Sequence, residues 1–171
     1  MYSSEFELGL VALNVSNLEL QSLFYQQVLG LSLIKEEAGQ VDLGVGERVL
    51  VRLIAIDDKT TVKGAYGLYP LAIVLPSRQA LGDIFRHFLT NQVPLVGASD
   101  HGYSGAIYLE DTEGNGIEIY RDLPESDWDI REDGRIIGIT DPMDAQAVFD
   151  AGSGLTPPYK MPEGSRMVIS G

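Results

Sequence analysis

Apolar and polar positions along this chain switch between two periods, and the whole pattern then returns. Leu8–Val15 reads as a strand with apolar residues on both faces, Val and Leu dominating. Ser16 or Asn17 can cap the helix that follows. In that helix Leu18, Leu23, Phe24, Val28 and Leu29 make an apolar stripe, and Gly30 suits the position just past its end. Leu31–Glu37 alternates as a strand, Gly39 turns the chain into a short strand at Gln40–Gly44, and Gly46-Glu47 turns it again into the apolar run Val49–Ile56. The predicted order is β, α, β, β, β.

The same order recurs further along. Tyr69–Leu75 is an apolar strand, Pro76-Ser77 opens a helix, and Leu81, Ile84, Phe85, Phe88 and Leu89 give its buried stripe. Val93–Val96 starts another strand. Ala106–Glu110 and Ile117–Arg121 are two more, joined by the turn-rich Asp111–Gly116. Laying Gly9–Leu13 over Tyr69–Ile73 keeps the helices in register, with Phe24 on Ile84 and Leu29 on Leu89, which marks a duplicated module rather than two unrelated α+β segments. The predicted fold is α+β: two tandem βαβββ modules, about residues 8–56 and 67–121, forming a cupped mixed sheet, with residues 122–171 as a C-terminal extension.

Strand alternation divides the residues between the faces. If Val11, Leu13 and Val15 face the first helix, then Leu10, Ala12 and Asn14 line the cup. Pro70, Ala72 and Val74 line it from the second module, and Glu118 and Tyr120 from the last strand. Val51-Arg52-Leu53 matches Ile117-Glu118-Ile119, which makes Arg52 the counterpart of Glu118.

Composition narrows the chemistry. A length of 171 residues, 44% hydrophobic and 22% charged, fits one globular domain with chain left over. The formal net charge of −13 repels phosphate backbones and anionic lipid, so neither nucleic acid nor membrane is an expected partner. The chain has no cysteine, which removes disulfides, thiolate nucleophiles and zinc–thiolate sites and suits a cytoplasmic protein. No apolar run reaches the ~18–20 residues of a membrane span, and Met1–Glu7 lacks the basic and apolar regions of a signal peptide. The two histidines are His87 and His101, so an ordinary metal site here must be poor in histidine.

The motifs then point to a family. Gly9-Leu-Val-Ala-Leu-Asn-Val-Ser-Asn-Leu18 followed by Phe24-Tyr-Gln-Gln-Val-Leu-Gly30 resembles the opening of a vicinal oxygen chelate protein, the superfamily of glyoxalase I, bleomycin resistance proteins and extradiol dioxygenases. Gly67–Arg78, Gly97–Ser104 and Tyr108–Tyr120 resemble still more closely the N-terminal domain of two-domain catechol 2,3-dioxygenases. Thr140–Asp144 and Leu155–Ser165 resemble the connector of such proteins, and Met167–Ile169 the start of a second domain's first strand, free to pair with a sheet edge in its own or a partner chain.

The resemblance implies a divalent metal, Fe(II) or another, held on the concave face by one side chain from each equivalent strand: His or Gln, Glu, His and Glu. Such ligands leave open positions where vicinal substrate oxygens chelate. Carried over, the ligand positions are Leu10, Arg52, Pro70 and Glu118. Leucine and proline side chains cannot ligate and a guanidinium is a cation, so Glu118 alone survives and no metal is expected in this chain. Arg52 is expected to pair with Glu118 across the cup floor, its charge standing where the metal's would have been; the plainer alternative is a one-residue register error that turns Arg52 outward.

Other residues carry weaker signals. His101, in Ser99-Asp-His-Gly102, either covers the cup mouth and serves a ligand or fixes its loop. His87 reads as a packing or surface histidine. Tyr103, Tyr108 and Tyr120 either form an aromatic wall or are half-buried sheet tyrosines. No nucleophile has a base beside it, so a hydrolase is not indicated and no catalytic residue is assigned.

The expected pocket is therefore Leu10, Arg52, Pro70, His101, Tyr108, Glu118 and Tyr120, taking a small aromatic or drug-like ligand, with a homodimer compatible. The function expected is a non-catalytic small-molecule-binding or structural module. The alternative is a metal-dependent ring-cleavage dioxygenase or glyoxalase relative whose active site lies in a second domain.

Overall fold

A computed structural model describes residues 6–8, 10–56, 71–100, 104–122, 145–153 and 157–169. Pro70, His101, Tyr103 and the acidic stretch around Trp128 lie outside them. The elements run β1 (Phe6–Leu8), β2 (Val11–Val15), α1 (Leu18–Gln27), β3 (Ser32–Glu37), β4 (Gln40–Val45), β5 (Arg48–Ala55), β6 (Leu71–Val74), α2 (Arg78–Thr90), β7 (Gly97–Asp100), β8 (Ser104–Glu110), β9 (Gly116–Asp122), α3 (Ala145–Ala151) and β10 (Arg166–Ile169). Among the described residues no helix is long and apolar enough to cross a membrane.

The repeat is borne out in the strand pairing. One sheet has the order β2-β5-β4-β3, and β6-β9-β8-β7 reproduces it inside a six-stranded sheet that adds β10 and β1 beside β6. In each module the first and last strands are parallel, with Ala12 opposite Arg52 and Ala72 opposite Glu118. Parallel neighbours need a crossover, and α1 and α2 supply it. Each helix starts at a polar cap: Asn17 Oδ1 accepts from the Leu20 amide at 3.0 Å, and Ser77 Oγ from the Ala80 amide at 3.1 Å.

The core fills the helix side of both sheets. Val15, Val51, Leu53, Leu71, Ile73, Ile107, Leu109, Ile117 and Ile119 are buried there with Ile84 and Phe88. Ala12 and Asn14 are exposed on the other face, as the alternation predicts.

Three expectations fail in detail. Leu23 of α1 is 44% exposed and Leu89 of α2 is 50% exposed, so neither belongs to its helix's buried face. The third concerns Val93–Val96, which is not a strand; the pairing begins at Gly97, which lies opposite Tyr108. Val93 and Leu95 pack against the core ahead of it.

What α1 buries instead of Leu23 is polar: Gln21, Ser22 and Tyr25. The reason is Asp111, a buried carboxylate in the turn between β8 and β9. Gln21 Nε2 donates to its Oδ2 at 2.8 Å and Tyr25 Oη at 2.7 Å, while the Glu113 and Asn115 amides donate to Oδ1 at 2.9 and 3.0 Å and Asn115 Nδ2 to Oδ2 at 2.8 Å. Glu113 on the same turn accepts from the Ser16 and Asn17 amides at 2.9–3.1 Å, at the start of α1, where an anion is favoured. One turn of the second module thus holds the first module's helix at its end and on its flank.

The extension is docked. Gly82 of α2 meets Gly152 and the Val148 carbonyl so closely that a Cβ would lie 2.4 Å from Gly152 N, which lets α3 lie directly on α2. Tyr159 packs on Gly30 (φ +72°), where a Cβ would lie 2.6 Å from its ring, and the Met161 amide donates to the Gly30 carbonyl at 2.9 Å. Met167–Ile169 pairs within its own chain: β10 runs antiparallel to both β6 and β1.

Asp111→Ala strands the fully buried Gln21 amide and Tyr25 hydroxyl and is expected to cost roughly 3–4 kcal/mol, measured by urea unfolding. Burial first, and then the Asp111 charge, push the Tyr25 phenol well above its ordinary pKa. The fold holds the protonated phenol, so this stabilisation is full below about pH 10 and is lost as pH rises further. Tyr25→Phe is expected to lower stability at neutral pH by about 1–2 kcal/mol and to flatten the alkaline decline; an unchanged slope would exclude Tyr25 as its source.

Candidate functional site

Strand register puts the candidate residues in two equivalent rows on the faces turned away from the helices. In the first sheet the row is Ala12, Arg52, Asp42 and Lys35; in the second it is Ala72, Glu118, Tyr108 and Gly97. Arg52 and Glu118 therefore hold equivalent positions, as the sequence match implied. Leu10, half-buried, lies just before β2 and two residues ahead of Ala12.

Arg52 is committed to its own sheet. Its Nε donates to Asp42 Oδ1 at 2.8 Å and its Nη2 to Oδ2 at 3.1 Å, a two-point contact in which the Asp42 side chain is 4% exposed and the Arg52 side chain 36%. The Arg52 hydrogen bond holds the Asp42 carboxyl below the usual carboxylate range, against the opposing effect of burial, and the same bond raises the guanidinium further. The expected Arg52–Glu118 pair is thus corrected: the partner of the guanidinium is Asp42.

A bulge hides this partner from a sequence reading. The β4–β5 hairpin begins with Val45 opposite Arg48, which without irregularity would set Asp42 opposite Val51. The register shifts between Leu43 and Gly44, so Leu43 faces Val51 and Asp42 faces Arg52. Gly44 permits the bulge, because a Cβ there would meet the Arg48 carbonyl at 1.9 Å.

The second sheet brings three of the expected pocket residues together. Tyr108 and Glu118 are direct cross-strand partners, and Tyr120 lies two residues beyond Glu118 on the same face. Ala72, Val74, Ala106 and Tyr120 form a buried apolar cluster here, separate from the main core, with Tyr108 packed against it. Glu118 is half-buried beside them. The contrast between the faces is chemical: an ion pair floors the first, an apolar patch with one carboxylate the second.

His87 belongs elsewhere. Its Nε2–H donates to the Gln27 carbonyl at 2.9 Å, Asn91 Nδ2 donates to its Nδ1 at 3.1 Å, and its ring stacks on Tyr159 with centroids 4.7 Å apart. It joins the end of α1, α2 and the extension, which is the packing role expected of it. Among the described residues no three His, Cys, Asp or Glu side chains converge to hold a metal ion. Leu10 and Arg52 have no lone pair to offer one.

Comparison with known proteins agrees with this architecture. The profile of the Glyoxalase/Bleomycin resistance protein/Dioxygenase superfamily matches residues 7–119. A catechol-2,3-dioxygenase from Bacillus subtilis (strain 168) is 33% identical over 148 residues, which are 84% of this chain and 51% of that protein, so the chain spans about half the length of this relative. Among solved structures, a glyoxalase/bleomycin resistance protein/dioxygenase from Alicyclobacillus acidocaldarius superposes with a TM-score of 0.55 at 14% identity, covering 68% of this chain and 91% of that one. A lactoylglutathione lyase from Agrobacterium tumefaciens gives 0.52 at 20% identity, covering 67% and 92%. These structural likenesses speak for the fold. With the profile covering both modules and the dioxygenase relative matching most of the chain, this protein belongs to the glyoxalase/bleomycin resistance protein/dioxygenase superfamily.

Proposed function

We propose that this chain is a small-molecule-binding or structural module of its superfamily that works without a metal centre of its own. The observation that supports it most is the two-point Arg52–Asp42 ion pair, which stands at the first-sheet position equivalent to Glu118. A guanidinium cannot ligate a cation and repels one, and its fixed partner leaves it little freedom to swing away. Family positions carried onto Leu10 and Pro70 add no ligand. Glu118 would be a lone carboxylate, and a single carboxylate does not hold a catalytic metal. The apolar patch around Tyr108 and Tyr120 suits a flat or apolar ligand instead.

A second reading has its own support in the 33% identity to a catechol-2,3-dioxygenase. In that reading the chain acts as the non-metal half of a ring-cleaving enzyme, and the metal centre lies in a second domain. It requires that a longer protein carrying this chain cleave a catechol ring, and that Glu118→Gln leave the rate unchanged.

Metal analysis of the purified chain after incubation with Fe(II), Mn(II) and Zn(II) tests the first reading. The expected outcome is far less than one metal per chain; stoichiometric metal lost on Glu118→Gln would sink the reading. The ion pair has a measurable signature of its own. Because the Asp42 carboxyl is held low, its stabilisation is present above about pH 4 and is lost as pH falls through the lowered value. Arg52→Gln leaves Asp42 buried without its cation and is expected to lower stability at pH 7. The variant should also show a shallower acid decline in urea midpoints.

A further inference from the structure

A cavity of about 510 Å³ lies on the helix side of the fold, away from both open sheet faces. Its walls come from three places: the end of α1 (Gln26, Gln27), one side of α2 (Asp83, Arg86, His87, Asn91), and the extension (Pro157–Lys160). That volume is in the range of about 300–1,000 Å³ typical of small-molecule sites.

Charge in this cavity runs against that of the protein as a whole. The Asp83 carboxylate is already satisfied, accepting from the Ser153 amide at 2.6 Å and from Ser153 Oγ at 2.9 and 3.0 Å. Arg86 is held at one end only: its Nε donates to the Phe149 carbonyl at 2.6 Å and its guanidinium carbon lies 4.3 Å from the Phe149 ring centroid. Among the described residues nothing accepts from its terminal nitrogens, and no carboxylate pairs with the exposed Lys160. Two cations therefore line a cavity in a chain of net charge −13. The lining also includes the Pro157-Pro158 pair and the stacked rings of His87 and Tyr159. Both His87 nitrogens are engaged, so it offers a ring face and no free donor. Tyr159 is 8% exposed, and its buried hydroxyl has no partner among the described residues.

We propose that this cavity is a binding site for a small organic anion, a carboxylate or phosphate ester on a flat body, distinct from the cup. Arg86 presents a planar fork already fixed by Phe149, suited to two anionic oxygens at once. Lys160 adds a second positive charge from the extension. The body of the ligand lies along the Tyr159–His87 wall. A site built this way exists only while the extension is docked, since Tyr159 and Lys160 both arrive with it.

Calorimetric titration of the whole chain with benzoate and with phenyl phosphate at low ionic strength tests the proposal. Saturable binding of either is expected, and the tighter of the two identifies the head group. Arg86→Gln should weaken it about tenfold and Lys160→Gln severalfold, while Glu118→Gln should leave it unchanged. Arg86 also supports α3, so the exposed Lys160 provides the arm free of folding effects. The proposal is overturned by no saturable binding, by affinity unaltered in Lys160→Gln, or by affinity raised in Glu118→Gln, because relief of repulsion from that carboxylate would place the anion in the cup.

Discussion

The fold depends on one buried carboxylate. Asp111 is 7% exposed and accepts hydrogen bonds from Gln21, Tyr25, Glu113 and Asn115, so its charge is tolerated only because donors surround it. Two of those donors belong to the other module. A charge that must be satisfied from both sides fixes where α1 sits on the β8–β9 turn far more narrowly than apolar packing, which tolerates sliding. The position of the first sheet then follows from α1, because Val15, Leu29 and Leu31 are fully buried around it.

This dependence explains what could be read from the amino acids and what could not. The duplicated order was legible because it rests on period and turn chemistry. Asn17 and Ser77 cap their helices, and Val11, Leu13 and Val15 alternate with Ala12 and Asn14. The buried face of α1 was not legible, because Gln21 and Tyr25 count as polar until the carboxylate facing them is known, and it lies some 90 residues away in sequence. Leu23 is exposed for the same reason: a stripe drawn from apolar residues alone cannot tell which side a distant turn will claim. The Arg52 partner was hidden more locally, since one residue of bulge at Gly44 exchanges Val51 for Arg52 opposite Asp42. The pairing of Arg52 with Glu118's position needed no such detail, because both parallel strand pairs keep the same register.

The two faces of each sheet answer to different constraints in this chain. Matching rows in the two sheets hold equivalent positions, with an ion pair on one side and tyrosines around a carboxylate on the other. A fold holds its rows in place through the opposite, buried face, where Val51, Leu53, Ile117 and Ile119 make the core. Changes on the open face leave that core untouched, which is how one architecture carries unrelated functions.

The sheet order β1-β10-β6 carries a kinetic consequence. Phe6 lies opposite Ile169, the widest sequence separation of any strand pairing described, and β10 is the strand through which β1 joins the six-stranded sheet. Closing so long a loop is entropically slow and is rewarded only at the end. The modules can assemble around their own helices first, and β6 then presents an unpaired edge until β10 arrives. An uncovered β6 edge invites edge-to-edge association with another copy, so β10, by pairing with it, also protects the chain from misassembly.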